Sequence, residues 1–414
     1  MQQQQSDFTG WRDLPRNVWA VSITSFFTDI SSEMIINILP LFLNNVLGIR
    51  INIIGLIEGV AEATASILKL FSGWLSDKIR QRKWLAVIGY GISAISKPFF
   101  YYAGSWGVVA GVRWADRVGK GVRTAPRDAL VADSVNECQR GLAFGLHRAA
   151  DTGGAVVGII LALVVVWMAQ AGNVQLSRDT FQKVVLISLV PAFIAVVALA
   201  ILAQDVPVIK QRQLPKFAFR GLGKQFVIFM IIVSIFDLGN SSDAFLVLRA
   251  QDRGASVLGV LGMLVIFNLV YTLASIPFGA LSDRVGRRKI IAGGWLLYAF
   301  VYLGFAMAGQ TWHIWILYAL YGLYYGLTYG TSKALVADIV PAELHGTAYG
   351  TYNAVLGILD LPASLIAGVL WQGIGRWGGF GASAPFLFGG GLALLAALLM
   401  SFWNPKSMTV GSEA

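Results

Sequence analysis

The stretch Val184-Val-Leu-Ile-Ser-Leu-Val-Pro-Ala-Phe-Ile-Ala-Val-Val-Ala-Leu-Ala-Ile-Leu-Ala203 contains no charged residue in 20 positions. As a helix it is about 30 Å long, the thickness of a bilayer's hydrocarbon core. Hydrocarbon offers no partner to a backbone N–H or C=O, so a run of this kind must be helical there. Ala155–Ala169 and Pro385–Trp403 have the same character.

The whole chain agrees with these runs. Of its 414 residues 56% are hydrophobic and 13% charged, and its mean hydropathy is +0.66. A soluble domain carries about 25% charged residues. Lipid in place of water around most of the surface accounts for the difference. The polar, then basic, segment Met1–Arg16 lacks the ordered apolar core and small-residue cleavage site of a signal peptide, so the first apolar run is expected to stay in the mature chain. The single cysteine, Cys138, excludes an intrachain disulfide and reads as an ordinary loop thiol.

Twelve spans are expected: 17–47, 52–76, 84–103, 107–134, 139–169, 181–204, 224–249, 255–281, 289–309, 311–339, 345–371 and 384–403. The net charge of +10 falls in the short loops between them, which speaks for membrane orientation and against nucleic acid. Lys78, Arg80, Arg82 and Lys83 follow span 2. Lys210, Arg212, Lys216, Arg220 and Lys224 follow span 6. Arg284, Arg287, Arg288 and Lys289 follow span 8. The alternate loops are poorer in bases. The positive-inside rule then puts both termini in the cytoplasm, for a chain in the cell (inner) membrane.

The two halves repeat each other. Gly73-Trp-Leu-Ser-Asp77 returns as Gly279-Ala-Leu-Ser-Asp283, at an offset of 206. Ala129-Leu-Val-Ala-Asp133 returns as Ala334-Leu-Val-Ala-Asp338, and Gly141-Leu-Ala-Phe-Gly145 as Gly346-Thr-Ala-Tyr-Gly350, both at 205. The expected organisation is a cytoplasmic tail 1–16, a six-helix bundle 17–204, a cytoplasmic linker 205–223, a second six-helix bundle 224–403 and a cytoplasmic tail 404–414. Two such bundles can rock about a site at the bilayer midplane, opening it to each side in turn.

On these motifs the chain resembles the major facilitator superfamily over nearly its whole length. The superfamily's loop signature after spans 2 and 8 is G-x-L-x-D-[RK]-x-G-R-[RK]-[RK]. Gly279, Leu281, Asp283, Arg284, Gly286, Arg287, Arg288 and Lys289 match it throughout. Gly73, Leu75, Asp77, Lys78, Arg82 and Lys83 match the first copy, which carries Arg80 and Gln81 where Gly and Arg are usual. The resemblance implies an all-α membrane protein of twelve helices in two pseudo-symmetric bundles. It also implies a latch built on these residues that stabilises the state closed to the cytoplasm. The glycines would let helices approach closely. The two aspartates would face the N-terminus of a neighbouring helix, whose dipole favours negative charge. The span-5 antiporter signature, Gly-Pro followed by Gly-Gly, is not met: Gly153-Gly154 is present and the proline absent.

Ionisable groups inside a bilayer are costly and usually face a cavity. Asp29, Glu33 and Asn37 stack on one face of span 1 at i, i+4, i+8. Like charges so placed raise the proton affinity of one carboxylate, which makes a proton carrier. Span 4 carries Arg113, Arg117, Lys120 and Arg127 in one stripe, with Asp116 beside it. In the superfamily, spans 1, 4, 7 and 10 line the cavity, so the stripe is expected to face the span-1 acids. Span 7 adds Asp237, Asn240 and Asp243, and its Ser241-Ser-Asp243 echoes Ser31-Ser-Glu33. Span 10 adds Tyr321, Tyr325 and Tyr329 at i, i+4, i+8. Glu58 and Glu62 in span 2, Lys97 in span 3, His147 and Asp151 in span 5 and Asp360 in span 11 are candidates for a proton relay or for internal ion pairs. Gly73, Asp77, Lys78, Arg82, Gly279, Asp283, Arg284, Arg287 and Arg288 are expected at a cytoplasmic gate.

Neither a nucleophile elbow nor a phosphate-binding loop nor a metal-spaced histidine pair is present, so an enzyme, a bound cofactor, a resident metal and an ATP-driven pump are not expected. The leading expectation is a monomeric secondary active transporter for a small, polar, charged solute. It is proton-coupled, with Asp29 and Glu33 carrying protons and Arg113 and Arg117 binding solute or competing for those carboxylates. A second expectation is proton-driven efflux of a cationic drug or a metal cation. A third, of another class, is a non-transporting membrane sensor or assembly factor.

Overall fold

The computed structural model describes residues 13–79, 81–135, 140–170, 173–205, 221–341 and 344–404. Cys138, Arg80, most of the expected linker 205–223, most of both tails, and the side chains of Asp77, Asp283, Gly141 and Gly346 lie outside the described residues.

Twelve helical rods run through the described residues, one for each expected span. In order they are Arg16–Ile36 (span 1, continued by Leu39–Leu41 and a π-helical turn Phe42–Val46), Ile51–Ile79, Arg82–Ser96 (span 3, continued by the 3₁₀ turn Lys97–Phe100), Trp106–Ser134, Arg140–Gln170 and Arg178–Leu202. The second half comprises Gly223–Gly239 and Ala244–Asp252 (together span 7), Val257–Val285, Arg287–Met307, Thr311–Ile339, His345–Gln372 and Ala384–Phe402. Nine of these rods are long and apolar enough to cross a membrane. The others are spans 3, 4 and 10. Span 3 has a short α-helix, span 4 carries the basic stripe, and span 10 is rich in tyrosine and glycine.

Each half packs around its own core. In the first, span 1 lies on spans 5 and 6, and span 4 on spans 2 and 3. In the second, span 10 lies on spans 8 and 9, and span 12 on spans 7 and 9. The halves meet mainly where span 2 packs against span 11 and span 5 against span 8. That pairing exchanges under the repeat, as two duplicated units facing each other require. Small residues permit the close approach: a Cβ on Gly59 would stand 2.9 Å from the Cα of Leu361. Gly279 does not act this way. A Cβ there would meet nothing within 4 Å, because its stretch of span 8 borders an open space shared with Arg148 and Tyr329.

Span 7 departs from the expected unbroken helix 224–249. Residues 240–243 are non-helical, between two helical pieces. Irregular backbone at membrane depth is tolerated only where it is buried in protein or lines a cavity. Here it does the latter, as the next section describes.

Candidate functional site

A cavity of about 500 Å³ lies between the halves, within the usual range for a small-molecule site. The first half contributes Asp29, Glu33 and Asn37 from span 1, Glu58 and Glu62 from span 2, Asp116, Lys120 and Arg123 from span 4, and Arg148 from span 5. Arg113 and Arg117 complete that wall. The second half contributes Asn240, Ser241, Ser242 and Asp243 from the break in span 7, Phe267, Asn268 and Tyr271 from span 8, Tyr325 and Tyr329 from span 10, and Asp360 from span 11. All five basic side chains of the lining come from the first half. The second half presents carboxylates, hydroxyls and aromatic rings.

The arginines are already paired. Arg113, 2% exposed, donates from Nη2 to Oε2 of Glu58 at 2.6 Å and lies 3.5 Å from Oε1 of Glu62. Nε of Arg117 is 3.2 Å from the same Oε1. Arg113 and Arg117 of the basic stripe thus pair with the acids of span 2, not with those of span 1 as their position suggested, and Arg127 pairs with Asp128 of its own helix. The reason is packing: span 4 lies along span 2 for much of its length.

The span-1 acids make no ion pair among the described residues, although Lys120 and Arg123 line the same cavity. Glu33 accepts from Nδ2 of Asn37 at 2.9 Å, and no base lies within ion-pair distance of it among the described residues. Asp29 has neither a hydrogen bond nor an ion pair among the described residues, and both line the cavity. Lys97 donates to Ser31 and Ser32 at 2.7 and 3.1 Å, which ties span 3 to span 1 beside the cavity that Ser32 lines. His147 is 2.9 Å from the Ser25 hydroxyl and 3.6 Å from Asp151, away from the lining.

In the second half Tyr321 is fully buried and donates to Oδ1 of Asp243 at 2.9 Å, holding that carboxylate from behind. Tyr298 donates to Oδ1 of Asn240 at 3.1 Å. Asp237, expected beside Asn240 in the same site, points elsewhere. It lines a separate cavity inside the second bundle.

The end of the molecule opposite the termini is closed by hydrogen bonds between the halves. Asn45 and Gln251 exchange amide bonds at 2.7 and 3.0 Å, Arg50 donates to the carbonyl of Gln372 at 2.9 Å, and Asn52 donates to the carbonyl of Gly373 at 2.9 Å. At the end that holds the termini, the described signature bases bind within their own halves. Arg82 pairs with Asp133, Arg287 with Asp338, and Arg288 donates to the carbonyl of Trp403. Lys78 stacks on Trp74.

The sequence profile described as Major Facilitator Superfamily matches residues 21–248 and again 227–413. The chain belongs to the Major Facilitator Superfamily. It is a multi-pass membrane transporter and not an enzyme. An uncharacterised MFS-type transporter of Methanocaldococcus jannaschii is 35% identical over 397 residues, covering 94% of this chain and 96% of the relative. Among solved structures, the nucleoside transporter NupG superposes with a TM-score of 0.73 at 16% identity, over 94% of this chain and 100% of that one. A D-xylose-proton symporter gives 0.74 at 16% identity, over 94% and 98%. At such identities the likeness to the solved structures is one of fold.

Several lining residues of this superfamily member escaped the sequence reading. Phe267, Asn268 and Tyr271 occupy one face of span 8 at i, i+1, i+4, and nothing ionisable drew attention to them. Arg148 projects from span 5 to within 5.5 Å of the Tyr329 ring, bridging the halves near the end that holds the termini.

Proposed function

We propose that this chain is a proton-coupled secondary active transporter. It moves a small polar solute bearing a positive charge by alternating access of the cavity between its halves. The observation that carries this reading is the division of charge in the lining. Arg113 and Arg117 are engaged by Glu58 and Glu62, whereas Asp29 and Glu33 face the same space with no ion-pair partner among the described residues, Lys120 and Arg123 being the cations that share it. Seven carboxylates and five basic side chains line the cavity, so its formal charge is negative. On the opposite wall Asp243 and Asp360 stand among tyrosine rings, which suit a cationic group through both charge and quadrupole.

Asp29 and Glu33 are the proton carriers in this scheme. With a proton on each they add no field to the cavity. Without them they attract the cationic solute, so solute and proton compete or cooperate through a shared space. The bundles 17–204 and 224–403 move as units joined by 205–223. In the cell (inner) membrane with cytoplasmic termini, the closed end at Asn45 and Gln251 faces outward. A relative of this fold, the D-xylose-proton symporter, carries proton coupling in its name.

A second reading, proton-driven efflux of an organic cation, shares the acidic wall and differs only in the direction of the coupled flux.

The test is a solute screen in proteoliposomes with and without a pH gradient. A cationic or zwitterionic solute should accumulate or be expelled only when the gradient is present. Anions alone being carried, or flux indifferent to the gradient for every solute that moves, would contradict the assignment.

A further inference from the structure

A second cavity, of about 160 Å³, lies wholly within the C-terminal bundle, enclosed by spans 7, 9, 10 and 11. Asp237 is at one end of it and Lys333 with Asn353 at the other. At 1.5 Å per residue Asp237 lies about 21 Å along its helix from Gly223, near mid-membrane, whereas Asn353 lies only about 12 Å from the start of span 11. Asn353 is exposed. The cavity therefore runs inward from the end that holds the termini. It shares Asn240, Tyr325 and Tyr329 with the central cavity, and these residues form the partition between the two.

Asp237 is 6% exposed, and its Oδ2 is buried without a hydrogen-bond partner among the described residues. No basic group lies within ion-pair distance among the described residues. The titratable groups around it are Tyr298 on span 9, which bonds Asn240; Tyr324, Tyr325, Tyr329 and Lys333 on span 10; and Tyr352 and Asp360 on span 11. Lys333 is held at the far end, 4.5 Å over the Tyr329 ring and 3.4 Å from its hydroxyl. A buried oxygen left bare in this way calls for a missing partner. Asn240 accepts from Tyr298 through Oδ1, and its side chain also faces the Asp237 carboxylate. No cluster of three or more metal-ligating His, Cys, Asp or Glu side chains occurs among the described residues, and a proton needs only one oxygen.

We propose that Asp237 is a second proton-binding site, loaded from the end that holds the termini through this side cavity and without passage through the central one. The step is a plain association: the carboxylate takes a proton from water in the side cavity and becomes a carboxylic acid. The return step releases it to the same water.

The test is infrared difference spectroscopy of the full-length protein in liposomes during a pH titration. The wild type should show a C=O stretch of a protonated buried carboxyl. Asp237→Asn should lose one component of this absorption, and Asp29→Asn and Glu33→Gln, which remove components of their own, should keep that one. An unchanged band in Asp237→Asn overturns the proposal. Should Asp237→Asn fail to fold, Ser332→Leu narrows the cavity and leaves Asp237 in place. Deuterium exchange of the band in heavy water should then slow by tenfold or more, and an unchanged exchange rate overturns the route. Sodium chloride in place of choline chloride should leave the band unchanged, and its loss in sodium would assign the site to a metal cation instead. None of these readouts needs a transported solute, so their failure is distinguishable from failure of gradient-driven flux.

Discussion

Nη1 of Arg82 lies 2.8 Å from Oδ2 of Asp133, tying the start of span 3 to the end of span 4. Nη1 of Arg287 lies 2.7 Å from Oδ1 of Asp338, tying span 9 to span 10. The differences 287 − 82 and 338 − 133 are both 205. The Ala-Leu-Val-Ala-Asp aspartate is thus braced by a signature base in each half, although not from the same signature position: Arg287 aligns with Gln81, and the first half makes the pair from the next residue, Arg82. The signature bases brace each bundle from within.

The two copies differ in burial. Arg82 has a side chain 5% exposed and Asp133 one 24% exposed, against 26% and 43% for Arg287 and Asp338. Removing Arg82 as Arg82→Ala should therefore destabilise by ~1–3 kcal/mol, since it strands a half-buried carboxylate. Arg287→Ala should cost under ~1 kcal/mol from its ion pair, as a largely solvated one. Thermal unfolding in detergent reads both. The reverse order of effects would show that the buried copy is not the stronger brace.

Arg113 and Glu58 make the most enclosed charge pair of the cavity wall. Arg113→Met strands the buried Glu58 and should cost ~3–5 kcal/mol, whereas Glu58→Gln leaves Arg113 beside Glu62 and Asp116 and should cost less. The double substitution restores neutrality and should be milder than Arg113→Met alone. A double-mutant cycle on melting temperature measures the coupling. Additive losses would mean that the two side chains do not act as a pair.

Asp29→Asn and Glu33→Gln leave the volume of the cavity unchanged and remove its uncompensated acids. Each should abolish gradient-driven solute flux in proteoliposomes while leaving solute exchange at equal pH largely intact. The wild-type protein should lose gradient-driven flux when a protonophore is added. Full gradient-driven pumping by Asp29→Asn, Glu33→Gln together would remove both residues from the coupling mechanism.

Much of this was legible in the sequence because hydrocarbon leaves so few options. Uncharged runs such as Val184–Ala203 must be helices, and the repeated motifs gave the two halves. The i, i+4 spacing put Asp29, Glu33 and Asn37 on one face, and all three line the cavity. Periodicity within one helix could not say which neighbour that face meets. Arg113 and Arg117 therefore turned out to pair with span 2, and Asp237 turned out to face the side cavity alone, whereas Asn240 borders both. The span-7 break could not be read either, since Asn240-Ser-Ser-Asp243 keeps the polarity of a cavity-lining helix while its backbone bonds go elsewhere. One of them runs from the N–H of Ser242 to the hydroxyl of Ser364.

Closure of the end opposite the termini rests on two kinds of contact, and they should fail differently. The Asn45–Gln251 amide exchange is polar and small, so Asn45→Ala with Gln251→Ala should weaken closure without harming the fold. The contact at Gly59 is steric. Gly59→Leu places a side chain where even a Cβ stands 2.9 Å from the backbone of Leu361, which forces spans 2 and 11 apart. A thiol at the cavity wall, Ser242→Cys in a Cys138→Ser background, reports access from that end to a membrane-impermeant reagent. Labelling should rise severalfold in both variants, because each loosens the same seal. Only Gly59→Leu should also lower the melting temperature, since it disturbs a packed helix interface and not a hydrogen bond at its rim. If Gly59→Leu labels no faster than its parent, the span 2–span 11 contact is not what keeps the two halves shut at that end.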